Sequence, residues 1–399
     1  MQELKVVSSG RDFGAVKDSM QRYVDLDVLP GVSWAVLSGR DLVDVNQVGW
    51  ADRESRVALR SDHIFRAFSN TKLVTSMAVL LLFEAGHFAL DDPIERFIPK
   101  LGNRRVLRRD PSSIDDTDPA AGPITIRHLL THTSGLSYGL FDPGTVLYKA
   151  YQARKVLSPM NTLEAMTDVI ADLPLSFHPG TAWQYSVATD VLARLVEVVS
   201  GQAFDAFIKA RVLDPLGMVD TGFVVPQADR DRFVAYYAGA NLLNPMEPGL
   251  TRTDDAPYPQ AYLRPAPNLS GGGGLVSTLP DMLALVRSLL PDGPSLLKPE
   301  TLSLMMSNQL PEGMSIAFAG LGPVPGKGFG LGGSVTIAPS AIDPPDSLGE
   351  FQWGGVAGTH WWISPRHNLA GVMMAQRQMA FWHPYSFEFK KRVFHAMGV

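Results

Sequence analysis

Ser69 and Lys72 stand three residues apart at the start of an apolar run, F-R-A-F-S-N-T-K-L-V-T-S-M-A-V-L-L-L-F-E. In a helix, positions i and i+3 share a face, so the amine can reach the hydroxyl. A serine hydroxyl becomes a useful nucleophile once a base takes its proton. Free lysine, with a reference pKa of about 10.4, is a poor base near neutrality. Burial against apolar neighbours and the positive end of the helix dipole both disfavour the charged amine. The same helix end leaves backbone N–H groups free for a developing oxyanion. Helix start, apolar body and spacing therefore agree on a serine nucleophile with a lysine base. Against this, a serine at a helix start is ordinarily just an N-cap, and S-x-x-K occurs by chance.

Two further segments bear on the same chemistry. Tyr185 lies in H-P-G-T-A-W-Q-Y-S-V-A-T-D-V-L, just ahead of a helical pattern. Its phenol can accept a proton from the serine and donate one to a leaving group. The structural alternative is a core tyrosine with a satisfied hydroxyl. Gln352-Trp353-Gly354-Gly355-Val356 falls on a β-prone segment. Adjacent glycines at Gly354 and Gly355 let a backbone approach a ligand closely, or mark a bulge or tight turn.

Other polar spacings read as structural. His128 and His132 are four apart, but no Glu follows His128 and no third ligand is nearby, so no metal is expected. Ser134 lacks a G-x-S-x-G context. Gly271–Gly274 lack the G-K-[ST] of a phosphate loop and read as a tight turn beside the cleft. Trp361, Trp362 and Trp382 could line an acyl or alcohol pocket, although aromatics more often fill cores.

The elements that must position these residues follow from periodicity. Phe13, Val16, Met20, Tyr23 and Val24 keep helical spacing. Val32–Leu37 and Leu42–Trp50 flank G-R-D and read as a hairpin. The Ser69 helix should run to about Gly86. Short helices are expected at Ile126–Leu130, Thr189–Ser200 closed by Gly201, Phe204–Val212, and Pro280–Leu290. Asn103 to Gly122 is a polar excursion, and residues 225–268 look irregular. Gly328–Ile337, Glu350–Gly354, Thr359–Ile363 and Ala370–Gln376 read as strands, and Pro384–Met397 as a final helix. Strands at both ends and helices between them predict an α/β (α+β) fold. Residues 1–66 and 295–399 would build an α/β lobe around a mainly antiparallel sheet, and 67–294 an inserted, mainly helical lobe.

Composition narrows the function classes. The 399 residues carry a formal charge of −5, with 45% apolar and 19% charged side chains, an ordinary globular mix. Arg104, Arg105, Arg108 and Arg109 form the densest basic cluster, but Asp110, Asp115, Asp116 and Asp118 follow it, so nucleic acid is not an expected partner. With no cysteine, thiolate metal sites, disulfides and cysteine nucleophiles are excluded. The beginning M-Q-E-L-K-V-V-S-S-G-R has no basic-then-apolar pattern, and Met77 to Phe83 is too short to span a bilayer. The expectation is a cytoplasmic protein without membrane association. The oligomeric state is not legible.

Taken in order along the chain, the boxes resemble the penicillin-recognising serine hydrolases, which include class C β-lactamases, DD-peptidases and family VIII carboxylesterases. The resemblance is closest to the esterases. It rests on S-x-x-K at Ser69–Lys72, L-L-T-H-T-S-G-L at Leu129–Leu136, P-G-T-A-W-Q-Y-S at Pro179–Ser186, D-P-L-G-M at Asp214–Met218, S-G-G-G-G-L-V-S-T at Ser270–Thr278, and the W-G-G box. It implies a β-lactamase/transpeptidase-like fold with the site between two lobes, and no cofactor. It further implies Ser69 as the acylated nucleophile, Lys72 and Tyr185 as proton-relay partners, and the N–H groups of Ser69 and Val356 as the oxyanion hole. Trp353, Gly354 and Gly355 would touch substrate.

Two departures shape the expected substrate. The lactamases and peptidases carry Tyr-x-Asn where this chain has Val187 in the third position, and Lys-Thr-Gly where it has Trp353-Gly354-Gly355. The first removes an amide partner for the substrate. The second removes the cation that would hold a substrate carboxylate, a loss of about 1.5–3 kcal/mol. The expected substrate is a neutral, short-chain acyl ester. The alternatives are a cephalosporinase or DD-peptidase-like activity, acyl transfer to an alcohol or amine, and a non-catalytic binder on the same scaffold.

Overall fold

The computed structural model describes residues 4–241, 244–318 and 322–399; the side chain of Trp382 lies outside the described part. Helix α1 (Gly14–Asp25) buries Val16, Met20 and Tyr23, the residues whose spacing predicts it. Strands β1 (Gly31–Ser38) and β2 (Asp41–Asp52) form the expected hairpin, and β3 (Val57–Ala58) follows. Helix α2 (Thr71–Glu84) begins two residues after Ser69, and α3 (Ala188–Ser200) ends on Gly201 at φ +68°. That left-handed C-terminal position suits glycine. Strands β4 (Lys327–Phe329), β5 (Ser334–Thr336), β6 (Phe351–Gly355), β7 (Thr359–Ser364) and β8 (Leu369–Ala375) precede helix α4 (Pro384–Met397).

These eight strands make one antiparallel sheet in the order β4-β5-β6-β7-β8-β1-β2-β3. The first and last strand groups of the chain therefore meet at β8 and β1, with Trp34 opposite Met373. The two faces separate by the two-residue period of a strand. On one face Trp34, Trp362 and Met373 pack with Met20 of α1 and Phe389 and Phe394 of α4. On the other, Ala35, Trp361 and Val372 belong to the core that holds Leu73 and Met77 of α2. Because both faces are covered, β1 and β8 read as continuous apolar runs without polar alternation. Helix α2 is buried from Thr71 through Leu80, the state expected of a helix apolar all round. A helix so enclosed holds its N-terminal end, and with it Ser69, in a fixed place.

Three expectations need correction. Gly328–Ile337 is two strands, because the chain turns back through Gly330–Gly333 and Gly332 takes φ +103°. A Cβ on Gly332 would lie 2.2 Å from Ser76 Oγ of α2, so the turn can press onto that helix only as glycine. Phe204–Val212 is a helix only to Ile208 and then widens into a π turn at Lys209–Leu213. Pro215 has no N–H for the carbonyl four residues back, which favours the wider turn. Short helices at Val146–Ala153 and Leu163–Ala171, opened by the side-chain caps of Thr145 and Thr162, were not anticipated. Among the described residues, no helix is long and apolar enough to cross a membrane.

Two buried histidines, His383 at the start of α4 and His360 in β7, make stability depend on pH. His383 caps α4: its Nδ1 accepts from Tyr385 N–H at 3.3 Å and its Nε2 lies 2.7 Å from Pro245 O. Burial, then the charge of Arg377, pushes its pKa down to about 3. Burial pushes His360 down to about 4. Both bind fewer protons folded than unfolded between about pH 6.5 and 4, so stability is lost as pH falls through that window. Asp281 opposes this from about pH 6 downward, because burial raises its carboxyl to about 6 and the folded state then gains a proton. At pH 5 each histidine removes about 2 kcal/mol and Asp281 restores about 1, at about 1.4 kcal/mol per pH unit. Denaturant titrations at pH 7 and pH 5 are expected to show this net loss. His383→Asn, which keeps a capping acceptor, is expected to reduce it by about two-thirds.

Candidate active site

The approach to Ser69 begins at the strand Ile64–Arg66, which pairs with Val276–Thr278. Phe68 then takes φ +44°. For an aromatic residue this left-handed backbone costs about 1–3 kcal/mol and persists only when neighbours enforce it. The rings of Tyr236 and Tyr262 do so, at 5.7 Å and 6.2 Å from the Phe68 ring. Ser69 follows in a single 3-10 turn, Phe68–Asn70, that runs straight into α2. Asn70 is the N-cap of α2, and no side-chain cap bond is made there or at the 3-10 turn. Ser69 is therefore not a helix cap, and its half-buried hydroxyl faces other partners.

Those partners are the two expected. Tyr185 Oη donates to Ser69 Oγ at 2.7 Å, and Lys72 Nζ at 3.4 Å. Lys72 is 1% exposed, and its Nζ also donates to Gly272 O at 2.6 Å. The ammonium lies 4.5 Å from the Tyr185 ring centroid and 5.5 Å from that of Tyr138, within cation–π range. Tyr185 precedes α3, and its ring is fixed by stacking on Tyr138 at 5.4 Å and contacts to His132 at 4.9 Å and Trp353 at 5.5 Å. Burial, and then the charge of Lys72, holds the His132 imidazole well below its usual pKa. Its Nδ1 accepts from Ser186 N–H at 3.3 Å, so the neutral ring carries its proton on Nε2. His128 sits apart, its Nδ1 accepting from Thr125 N–H in a capping box. No metal-ligand cluster of three or more His, Asp or Glu occurs among the described residues.

Asp190 belongs to this site and escaped the sequence reading. It lies in the first turn of α3, buried. One carboxylate oxygen accepts from Ser270 Oγ at 2.6 Å and from Gly272 N–H at 3.1 Å. The glycine run is thereby held so that Gly272 O meets Lys72. A Cβ on Gly271 would lie 2.7 Å from Ala193 Cβ, and one on Gly272 would lie 2.6 Å from Asp190 Oδ2, so the run needs its glycines for this approach. The available signal was a lone acid inside the apolar stretch V-A-T-D-V-L-A.

Strand β6 closes the other side. Trp353 Nε1 points at Tyr185 Oη at 3.5 Å, the long limit of a hydrogen bond. The glycine pair is buried, and its close approach is to protein. A Cβ on Gly355 would lie 2.5 Å from Ala67 O and 3.3 Å from Phe68 Cβ, and one on Gly354 would lie 2.4 Å from His360 Nδ1. Gly355 thus lets the end of β6 pack on the turn that carries Ser69 and brings Val356 beside it. Among the described residues, no hydrogen bond engages the backbone N–H of Ser69 or of Val356. Val187, third in the Tyr185 box, is turned wholly into the core.

Three comparisons bear on this arrangement. The beta-lactamase family model matches residues 16–381. Esterase EstB of Burkholderia gladioli is 34% identical over 339 residues, spanning 82% of this chain and 80% of the relative. Lovastatin esterase of Penicillium rubens is 34% identical over 332 residues, 78% of this chain and 79% of that protein. Among solved structures, EstCE1, described as a hydrolase with promiscuous acyltransferase activity, superposes with a TM-score of 0.79 at 26% identity, covering 95% of this chain and 97% of that one.

Proposed function

The chain belongs to the beta-lactamase family, and on that premise we propose that it is a serine carboxylesterase of the family VIII type acting on neutral, short-chain acyl esters. The observation that carries this reading is the convergence of Tyr185 Oη and Lys72 Nζ on Ser69 Oγ, at 2.7 Å and 3.4 Å. Ser69 Oγ attacks the ester carbonyl carbon while its proton passes to Tyr185 or Lys72. The carbonyl oxygen becomes an oxyanion and accepts from the unengaged N–H groups of Ser69 and Val356. Collapse breaks the bond to the alkoxy oxygen, which takes a proton from the same relay and leaves as alcohol. Water then repeats the sequence on the acyl-enzyme, releasing the acid and returning the proton to Ser69.

The substrate class rests on positions 353 and 187. Trp353 supplies an apolar wall where a cation would hold a carboxylate, and the buried Val187 offers no amide to a lactam or peptide. A panel of ethyl, phenyl and longer-chain esters beside a chromogenic cephalosporin tests this. The esters are expected to exceed the cephalosporin in kcat/KM by about ten- to a hundredfold, the value of one lost charge-assisted contact. Equal turnover of the cephalosporin overturns the substrate assignment. The acyltransferase activity of EstCE1 favours one further reading, delivery of the acyl group to an alcohol in place of water. Product analysis of the same reactions with added alcohol separates the two.

A further inference from the structure

We propose that a cavity behind Trp353 receives the alcohol limb of the ester and selects flat, ring-bearing alcohols. This rests on the esterase reading above. The cavity has a volume of about 310 Å³ and lies between β6–β7 and the start of α4, walled by Trp353, Phe318, Phe381, Trp362 and Phe387. That volume is at the lower end for small-molecule sites, and the apolar, aromatic lining is typical of them.

Its position assigns the limb. Ser69 is not among the cavity walls; Trp353 is a wall of the cavity and also touches Tyr185 of the site. The Trp353 Nε1 that faces Tyr185 Oη at 3.5 Å and the Phe381 ring 5.6 Å from the Trp353 ring carry the aromatic surface from the proton donor into the cavity. Phe318 joins the two regions as well, at 6.0 Å from the Tyr185 ring. In the proposed relay the atom that leaves is the one Tyr185 protonates. The group attached to that atom extends along Trp353 into this cavity, and the acyl group stays with Ser69.

The polar groups of the wall suit a neutral ligand bearing an acceptor oxygen. Trp362 Nε1, on the α4 side of the sheet, is buried without a hydrogen-bond partner among the described residues. An indole N–H is a donor only, and leaving one unpaired is unfavourable, so a ligand oxygen is the natural partner. The two lysines of the wall are neutralised, Lys390 by Glu350 at 2.5 Å and Lys327 by Asp343 at 2.7 Å. They leave no net charge to draw a carboxylate.

The test narrows the cavity from two independent sides and reads selectivity ratios in the full-length protein. Ser386→Phe acts from α4, where the native hydroxyl donates to His383 O at 3.1 Å. Ile342→Trp acts from the opposite wall, at a position 48% exposed, where a substitution is expected to leave the fold intact. Phenyl and 2-naphthyl acetate have leaving groups of similar acidity and differ in size. Both variants are expected to lower the naphthyl-over-phenyl ratio of kcat/KM at least about tenfold, the usual scale of steric discrimination. The ratio of phenyl butyrate to phenyl acetate should stay within about twofold. An unmoved naphthyl ratio in both variants overturns the proposal, and a shift of the butyrate ratio instead overturns its assignment to the alcohol limb. Wild-type protein that turns over none of these esters overturns the esterase reading itself, a result distinct from the other two.

Discussion

Ser69→Ala is expected to lower kcat/KM for phenyl acetate by at least about 10⁴-fold while the protein stays folded, since the nucleophile of a covalent mechanism has no substitute. The folded state should persist, for a reason visible in the site. Removing Oγ takes an acceptor from two donors. Lys72 Nζ retains Gly272 O at 2.6 Å. The Tyr185 hydroxyl loses its acceptor, because Trp353 Nε1 can only donate to it. One donor left without its acceptor costs about 1–3 kcal/mol, too little to unfold the protein. The strained Phe68 backbone is held by Tyr236 and Tyr262, whose packing the substitution does not touch. The checks are the thermal midpoint, steady-state kinetics, and labelling with a fluorophosphonate followed by mass spectrometry. An adduct on Ser69 in the wild type and none in the variant is the expected pair. Turnover retained by a folded Ser69→Ala protein would sink the acyl-enzyme mechanism. A wild type that takes no label would revive the non-catalytic binder.

What made the site legible was locality. S-x-x-K needs only one helical turn, and the helix announces itself by an apolar run that survives in the structure as the buried α2. Tyr185 could be placed because the helix after it is strongly periodic and ends on a glycine. The pairing of the terminal strands followed from their positions at the two ends of the chain, and β8 does lie against β1. The parts that escaped depend on contacts between distant segments. Asp190 matters because it grips Ser270 and Gly272, far along the chain, and no spacing rule connects an acid in a helix to a glycine loop that steers a lysine. The left-handed Phe68 was hidden for a related reason: local preference argues against that backbone, and the packing of its ring on Tyr236 and Tyr262 overrides it.

The glycines show the same limit in another form. Read alone, Gly354-Gly355 suggested a backbone laid against a ligand. In the fold, Gly355 instead admits the carbonyl of Ala67, and the benefit to the site is indirect: β6 is seated so that Val356 lies beside the serine turn. Likewise Trp361 and Trp362, adjacent in sequence, face opposite sides of the sheet by strand alternation, one toward the α2 core and the other toward α4. Their shared role as walls of one cavity arises only where β7 and α4 meet.

Tyr185→Phe should have the second largest effect, and together with Lys72 it can resolve how the proton moves. The substitution removes only Oη. The ring remains clasped by Tyr138 at 5.4 Å, His132 at 4.9 Å and Trp353 at 5.5 Å, so the cleft should keep its shape. Losing a positioned general acid–base group typically costs about 10²–10⁴ in rate. The loss is expected in kcat, with KM changed little, because the hydroxyl acts on the proton in flight and not on substrate binding. Lys72→Met removes the amine while keeping an apolar stem in the buried site, and should cost a similar factor. In the double variant two outcomes are possible. If Tyr185 and Lys72 pass one proton along a single relay through Ser69, removing the second member costs little more than removing the first. If each serves a separate step, one loading the nucleophile and the other protonating the alcohol, the two losses multiply. The 2.7 Å and 3.4 Å contacts meet on the same oxygen, and both donors point at it. That shared geometry favours the single relay, so the double variant is expected to lie within about tenfold of the weaker single one. A full product of the two losses would assign the residues to separate steps.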